Sequence, residues 1–161
     1  MNIFDFAMQM ELDGKAHYEK LAAGTPVIGL HNIFIMLAAD EQKHYDVIQS
    51  MKAGSREAMA TSVVLDEAKN VFQGLINDKA QVGGLRKDLD GYRYAMKVEA
   101  DSVKLYEDMA KKEDTAEIVQ LFLKIANEEK KHYNIMENLY DFVLAPQNYL
   151  EWGEFSNLKE L

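Results

Sequence analysis

The sequence predicts an all-α protein, a four-helix bundle with a long connection between its second and third helices. Three observations carry this reading. Long apolar stripes with a 3.6-residue period dominate, and strand signals are almost absent. Helix-stopping residues gather at a few places, with only two prolines, Pro26 and Pro146, among 161 residues. The first half of the chain also lands on the second, without a gap, when the sequence is slid by 88 positions.

The first helix is expected from Ile3 to about Ala22, where Ala7, Met10, Gly14, His17, Tyr18 and Leu21 share a face. The stretch Ala23-Gly24-Thr25-Pro26-Val27-Ile28-Gly29 then supplies stop and turn signals. A second stripe runs through Ile33, Phe34, Leu37, Ala38, Ile48 and Met51 and ends near Gly54. Ser62-Val63-Val64-Leu65 is the one β-like run, and it leads straight into a shorter helical pattern over 63–76. After a break at Gly83-Gly84, a third long stripe collects Tyr92, Ala95, Met96, Val103, Tyr106 and Met109. The fourth takes Ile118, Leu121, Phe122, Ile125, Ala126, Tyr133, Met136 and Leu139. Residues 1–145 are thus expected to form the bundle, with a connection over roughly 55–90 long enough to run its length. Residues 146–161 form an aromatic tail, in which Trp152 and Phe155 are expected to pack on the bundle or on a partner subunit.

The 88-residue repeat is chemically specific. Glu11 meets Glu99, Tyr18 meets Tyr106, Phe34 meets Phe122 and Ala38 meets Ala126. The segment DEQKHY at 40–45 falls on EEKKHY at 128–133, so Glu41, Lys43, His44 and Tyr45 meet Glu129, Lys131, His132 and Tyr133. Each half is therefore a helical hairpin carrying one Glu and, thirty residues later, Glu-x-x-His.

The register of these acids places them inside. Glu11 belongs to the stripe 7, 11, 14, 18, 21, and Glu41 and His44 fall among Phe34, Leu37 and Ile48. Glu99 lies between Met96 and Val103, and Glu129 with His132 between Ile125 and Met136. A buried, unpaired carboxylate costs several kcal/mol. Four converging in one bundle would repel one another and take up protons unless a cation sat between them. No lysine or arginine occupies the stripes, because Lys43 and Lys131 lie about 100° round the helix from their neighbouring histidines. Bound metal is the remaining source of positive charge. Glu and His at i and i+3 project from one face and can reach a common ion. One Glu from each of two helices plus Glu-x-x-His from each of the other two is the pattern of di-iron and di-manganese carboxylate bundles. The mixed nitrogen and oxygen donors suit Fe or Mn, and Zn remains possible.

The stretches AMQMELDGKAHYEKLA, GLHNIFIMLAADEQKHYDVI, YAMKVEADSVKLYEDMA and LFLKIANEEKKHYNIM resemble the ferritin-like superfamily, and within it a rubrerythrin-type di-iron domain. With the tail PQNYLEWGEF the resemblance covers most of the chain. It implies two Fe ions per chain. Glu11 and His44 would be terminal ligands of one ion and Glu99 and His132 of the other, with Glu41 and Glu129 bridging. Tyr18 and Tyr106, two turns beyond Glu11 and Glu99, either fill the core or donate to a ligand carboxylate or a bound oxidant. Tyr45 and Tyr133 are read as packing residues, His17 and His31 as ordinary, and the nine methionines as core filling.

Two departures from the family bear on activity. Peroxide-reducing rubrerythrins usually carry a further Glu three residues after the third-helix ligand, where this chain has Ser102, matched by Gly14 in the first half. They also commonly carry a cysteine-ligated rubredoxin domain, whereas this sequence has no cysteine. The resemblance thus implies a ferrous pair oxidised by hydrogen peroxide or O2 and re-reduced by an external, rubredoxin-like electron carrier. Ferroxidase or iron-storage work, or a non-catalytic metal-stiffened bundle, are the alternatives. A net charge of −9 argues against nucleic acid and anionic membranes as partners. The N-terminus MNIFDFAMQM is a poor signal peptide, so a cytoplasmic protein, expected as a homodimer, is the default.

Overall fold

In the computed structural model, residues 2–55 and 58–146 are described. They are helical and contain no strand. Helix α1 spans Ile3–Gly24, α2 Ile28–Lys52, α3 Val64–Asn77, α4 Leu89–Lys112 and α5 Ala116–Leu144. The four long helices form the bundle, and α3 lies in the connection against α2 and α5.

Local chemistry sets the ends. The Asn2 side chain accepts a 2.8 Å hydrogen bond from the Asp5 N–H and caps α1, satisfying one of the donors every helix start leaves open. Thr25 ends α1 and Pro26 stands two residues before α2, which keeps this turn to three residues and makes α1 and α2 antiparallel neighbours. Past the end of α2, Gly54 adopts φ +84°, a left-handed conformation that glycine takes without steric cost. The Gly83-Gly84 break is tighter than the sequence suggested. Residues Gly83–Asp88 form 3-10 turns that run directly into α4.

The connection returns the chain to the end of the bundle from which α2 departed. At one end Lys52 pairs with Asp5. At the other, Lys87 Nζ donates to the Gly24 carbonyl (3.0 Å), and Arg86 donates to the Val143 and Leu144 carbonyls (3.3 Å each). Helices α2 and α4 therefore run in the same direction, as a long crossover requires.

Buried apolar side chains form two clusters on either side of a polar middle. One joins Leu30, Phe34, Leu65, Phe72, Leu85, Tyr92, Leu139 and Phe142. The other joins Ala7, Ile48, Met59, Tyr106, Phe122 and Ile125. Glu11 is buried as its stripe predicts, while Met10 is half-exposed; on α4 the stripe shifts by one residue, with Ser102 buried and Val103 half-exposed. Helix α4 presents 92, 95, 99, 102, 106 and 109, an alternation of three and four that keeps one seam facing inward. The expected contacts of Trp152 and Phe155 lie outside the described residues.

A candidate dinuclear metal centre

Between the two apolar clusters, α1 supplies Glu11, α2 Glu41 and His44, α4 Glu99, and α5 Glu129 and His132. All six are buried. Glu11, Glu41, His44 and Glu129 offer one ligand atom each within 4.8 Å of one another, and so do Glu41, Glu99, Glu129 and His132. Glu41 and Glu129 belong to both groups. The two imidazoles stack, with centroids 6.0 Å apart.

The unpaired atoms point inward. Glu11 Oε2, Glu41 Oε1, Glu99 Oε2, both Glu129 carboxylate oxygens and Nδ1 of His44 and His132 are buried without an aligned hydrogen bond. His132 Nδ1 lies 2.9 Å from Glu41 Oε1, and His44 Nδ1 lies 3.1 Å from Glu129 Oε1, but neither contact is in line with the N–H direction. Orphaned buried polar atoms are rare in folded proteins, and seven around one point need a common partner. Hard oxygen and imidazole donors in two overlapping groups of four fit a pair of divalent ions.

Electrostatics say the same. Burial, and then the negative charges of Glu11, Glu129 and Glu99, push the Glu41 carboxyl well above the usual range. Burial and Glu129 raise Glu99 to about 8. Burial and Glu129 also raise Glu11. Burial acts on Glu129 in the same sense, but the two histidines outweigh it and hold this carboxyl low. Without metal, the cluster must therefore borrow protons to stay folded.

A supporting layer fixes the cluster residues, and each half of the repeat supports the other. Tyr18 donates to Glu99 Oε1 (2.9 Å), and Tyr106 donates to Glu11 Oε1 (2.8 Å). His44 Nε2 lies 2.9 Å from Glu128 Oε1, and His132 Nε2 lies 2.9 Å from Asp40 Oδ2. The histidine bonds hold Asp40 at about 2 and Glu128 below its ordinary value, each against the upward pull of burial. A carboxylate only accepts, so each ring donates from Nε2 and turns Nδ1 to the centre. Sequence reasoning passed over Asp40 and Glu128, although they open the segments DEQKHY and EEKKHY and pair in the 88-residue repeat. Lys43 reaches this outer pair, 3.1 Å from Glu128 and 3.6 Å from Asp40, and not the four inner acids.

The remaining residues stay apart from the cluster. His17 Nε2 bonds the Gly91 carbonyl (2.8 Å) and His31 Nδ1 the Ala22 carbonyl (2.9 Å), and Tyr45 and Tyr133 are half-buried. A cavity of about 10 Å³, lined by Gly14, His17, Tyr18, Ala95, Val98 and Glu99, opens between α1 and α4, room for about one water-sized molecule.

Tyr18→Phe keeps the ring and removes one hydrogen bond to a buried carboxyl, a loss of about 1–3 kcal/mol. The metal-free variant is expected to melt several degrees lower, with the number of ions bound unchanged; calorimetry and a metal titration check this. Gly14 is constrained from the other side. A Cβ there would stand 3.0 Å from Glu41 Oε2. Gly14→Val is therefore expected to displace the Glu41 carboxylate and weaken metal binding about tenfold or more, comparable to losing a supporting contact. An unchanged titration would show that the carboxylate turns aside freely.

A helical bundle enclosing two overlapping groups of buried acid and imidazole donors is compatible with metal binding. The Rubrerythrin family profile matches residues 2–140, and the chain is a member of that family. No curated protein and no solved structure matches it.

Proposed function

We propose that this chain is a di-iron carboxylate oxidoreductase of the rubrerythrin type, acting on hydrogen peroxide or O2. The observation that carries the reading is the sharing of Glu41 and Glu129 between two buried four-residue groups. In this reading Glu11 and His44 would hold one ion and Glu99 and His132 the other, with Glu41 and Glu129 available to both. Mn or Zn fits the same donors. Bound iron supplies two electrons for reduction of the oxidant, one from each ion.

The chain's residues do the rest. The four carboxylates would offset the positive charge of bound cations. Asp40 and Glu128 hold the imidazoles in one tautomer. Tyr18 and Tyr106 hold Glu99 and Glu11 through one oxygen each, leaving the second oxygen for metal. The apolar clusters on either side of the centre keep bulk water from it. Ser102 stands where peroxide-reducing relatives usually carry a further Glu, so in this reading the six residues are the whole donor set. The 161 residues contain no cysteine to ligate a rubredoxin-type iron, and an external, rubredoxin-like carrier is the electron donor of this reading. Among the described residues no helix is long and apolar enough to cross a membrane. A cytoplasmic homodimer is the assembly we propose.

The test is anaerobic loading of metal-free protein with excess ferrous ion, followed by hydrogen peroxide or O2 in separate runs. A fast phase ending near two ferric ions per chain, quicker with peroxide, is the expected result. Continued oxidation far beyond two would mark a ferroxidase. No fast phase with either oxidant would overturn the enzyme reading.

A further inference from the structure

The segment between α2 and α3 lies beyond the stretch that the repeat matches, since 88 positions on from Ser62 is position 150, outside the described residues. Ser62 lies there, half-buried, and touches both outer acids. Its hydroxyl donates to Asp40 Oδ2 and accepts from the Val64 N–H (3.2 Å), while its own N–H donates to Glu128 Oε2 (3.1 Å). Asp40 and Glu128 in turn are the acids that anchor His132 and His44. The segment is tied down on either side of the centre: Lys43 Nζ donates to the Ala60 carbonyl (2.8 Å), and Lys124 to that of Met59.

We propose that Ser62 is the positioning residue for both metal-facing imidazoles, acting on His132 through Asp40 and on His44 through Glu128. A single residue thereby sets two rings that the repeat would otherwise orient independently. The two routes differ chemically. The side chain serves Asp40 and the backbone N–H serves Glu128, so a side-chain substitution separates them. The proposal builds on the metal-centre reading, yet the anchoring of the rings can be measured without metal.

The experiment compares the full-length wild type with Ser62→Ala and Ser62→Thr. In metal-free protein, solvent exchange of the two histidine Nε2–H protons is followed by nuclear magnetic resonance. In iron-loaded protein, stepwise ferrous affinities are measured anaerobically. Ser62→Ala is expected to speed exchange at His132 about tenfold, the value of one lost hydrogen bond, and to leave His44 unchanged. It should weaken one of the two ferrous ions about tenfold, at the low end of what supporting groups contribute. Ser62→Thr, which keeps the hydroxyl, should restore both. Unchanged exchange at His132, or equal acceleration at both rings, would overturn the proposal. If exchange changes selectively while the wild type fails to bind two ions, the positioning role stands and the di-iron reading falls.

Discussion

Glu41→Gln is expected to reduce metal binding from two ions per chain to at most one, weakening the second by more than about a hundredfold, beyond what supporting residues usually contribute. Glu41 belongs to both ligand groups, so its loss strips a donor from each and removes negative charge from between two cations. Glu41→Ala should do the same and additionally leave a hole against Gly14, whose Cα faces this side chain. The glutamine variant separates function from structure. In the metal-free protein burial and three neighbouring acids push the Glu41 carboxyl up and favour its neutral form, which a glutamine of the same shape reproduces. Its metal-free melting temperature should match or exceed that of the wild type. This is the usual relation between a functional cluster and the fold that tolerates it. Retention of two ions, counted by metal analysis after gel filtration, would remove Glu41 from the bridge.

Much of the centre could be read from the sequence because burial there contradicts residue type. An acid on an apolar stripe is conspicuous, and Glu11, Glu41, Glu99 and Glu129 each sit on one. The repeat then says which acids belong together. It carries less information about residues that point outward from a ligand. Asp40 stands at the margin of its helix's apolar face, and its role depends on a histidine 92 positions away on α5. Only the folded arrangement shows that each acid serves the other half's ring. Ser62 was hidden for a different reason. It lies beyond the stretch that the repeat matches, and its bond to Glu128 is made by a backbone N–H, which any residue but proline provides. The one-residue shift at Ser102/Val103 shows the same principle within a helix: a stripe reading favours the more apolar neighbour, but side-chain direction is set by the seam.

The cluster also fixes how stability depends on pH, with opposite expectations for the empty and loaded protein. Burial raises the carboxyls of Glu11, Glu41 and Glu99 above their unfolded values, so for these groups the folded state binds more protons than the unfolded one. Burial alone would lower His44 and His132, but the surrounding carboxylates outweigh it and raise both. A group raised on folding contributes stability that is complete below its unfolded value and is lost as pH climbs to the folded one. For the acids this window opens near 4.5 and, for Glu99, closes at about 8; for the histidines it opens near 6.5. All five groups act in the same direction. Asp40, Glu128 and Glu129 are displaced the other way, and their contribution is already complete above their unfolded values of 3.8 and 4.5. Metal-free protein should therefore lose stability steadily between about pH 5 and pH 8, by several kcal/mol, since each tenfold gain in a group's proton affinity on folding is worth about 1.4 kcal/mol. That is a large part of what an ordinary domain possesses. Loaded protein should reverse the trend, because metal competes with protons for the same oxygen and nitrogen atoms and wins as pH rises. Denaturant unfolding at pH 5.5 and 8.5, with and without ferrous ion under anaerobic conditions, measures both slopes. Parallel slopes would mean that the acids are satisfied within the protein and that the cluster has no need of a cation.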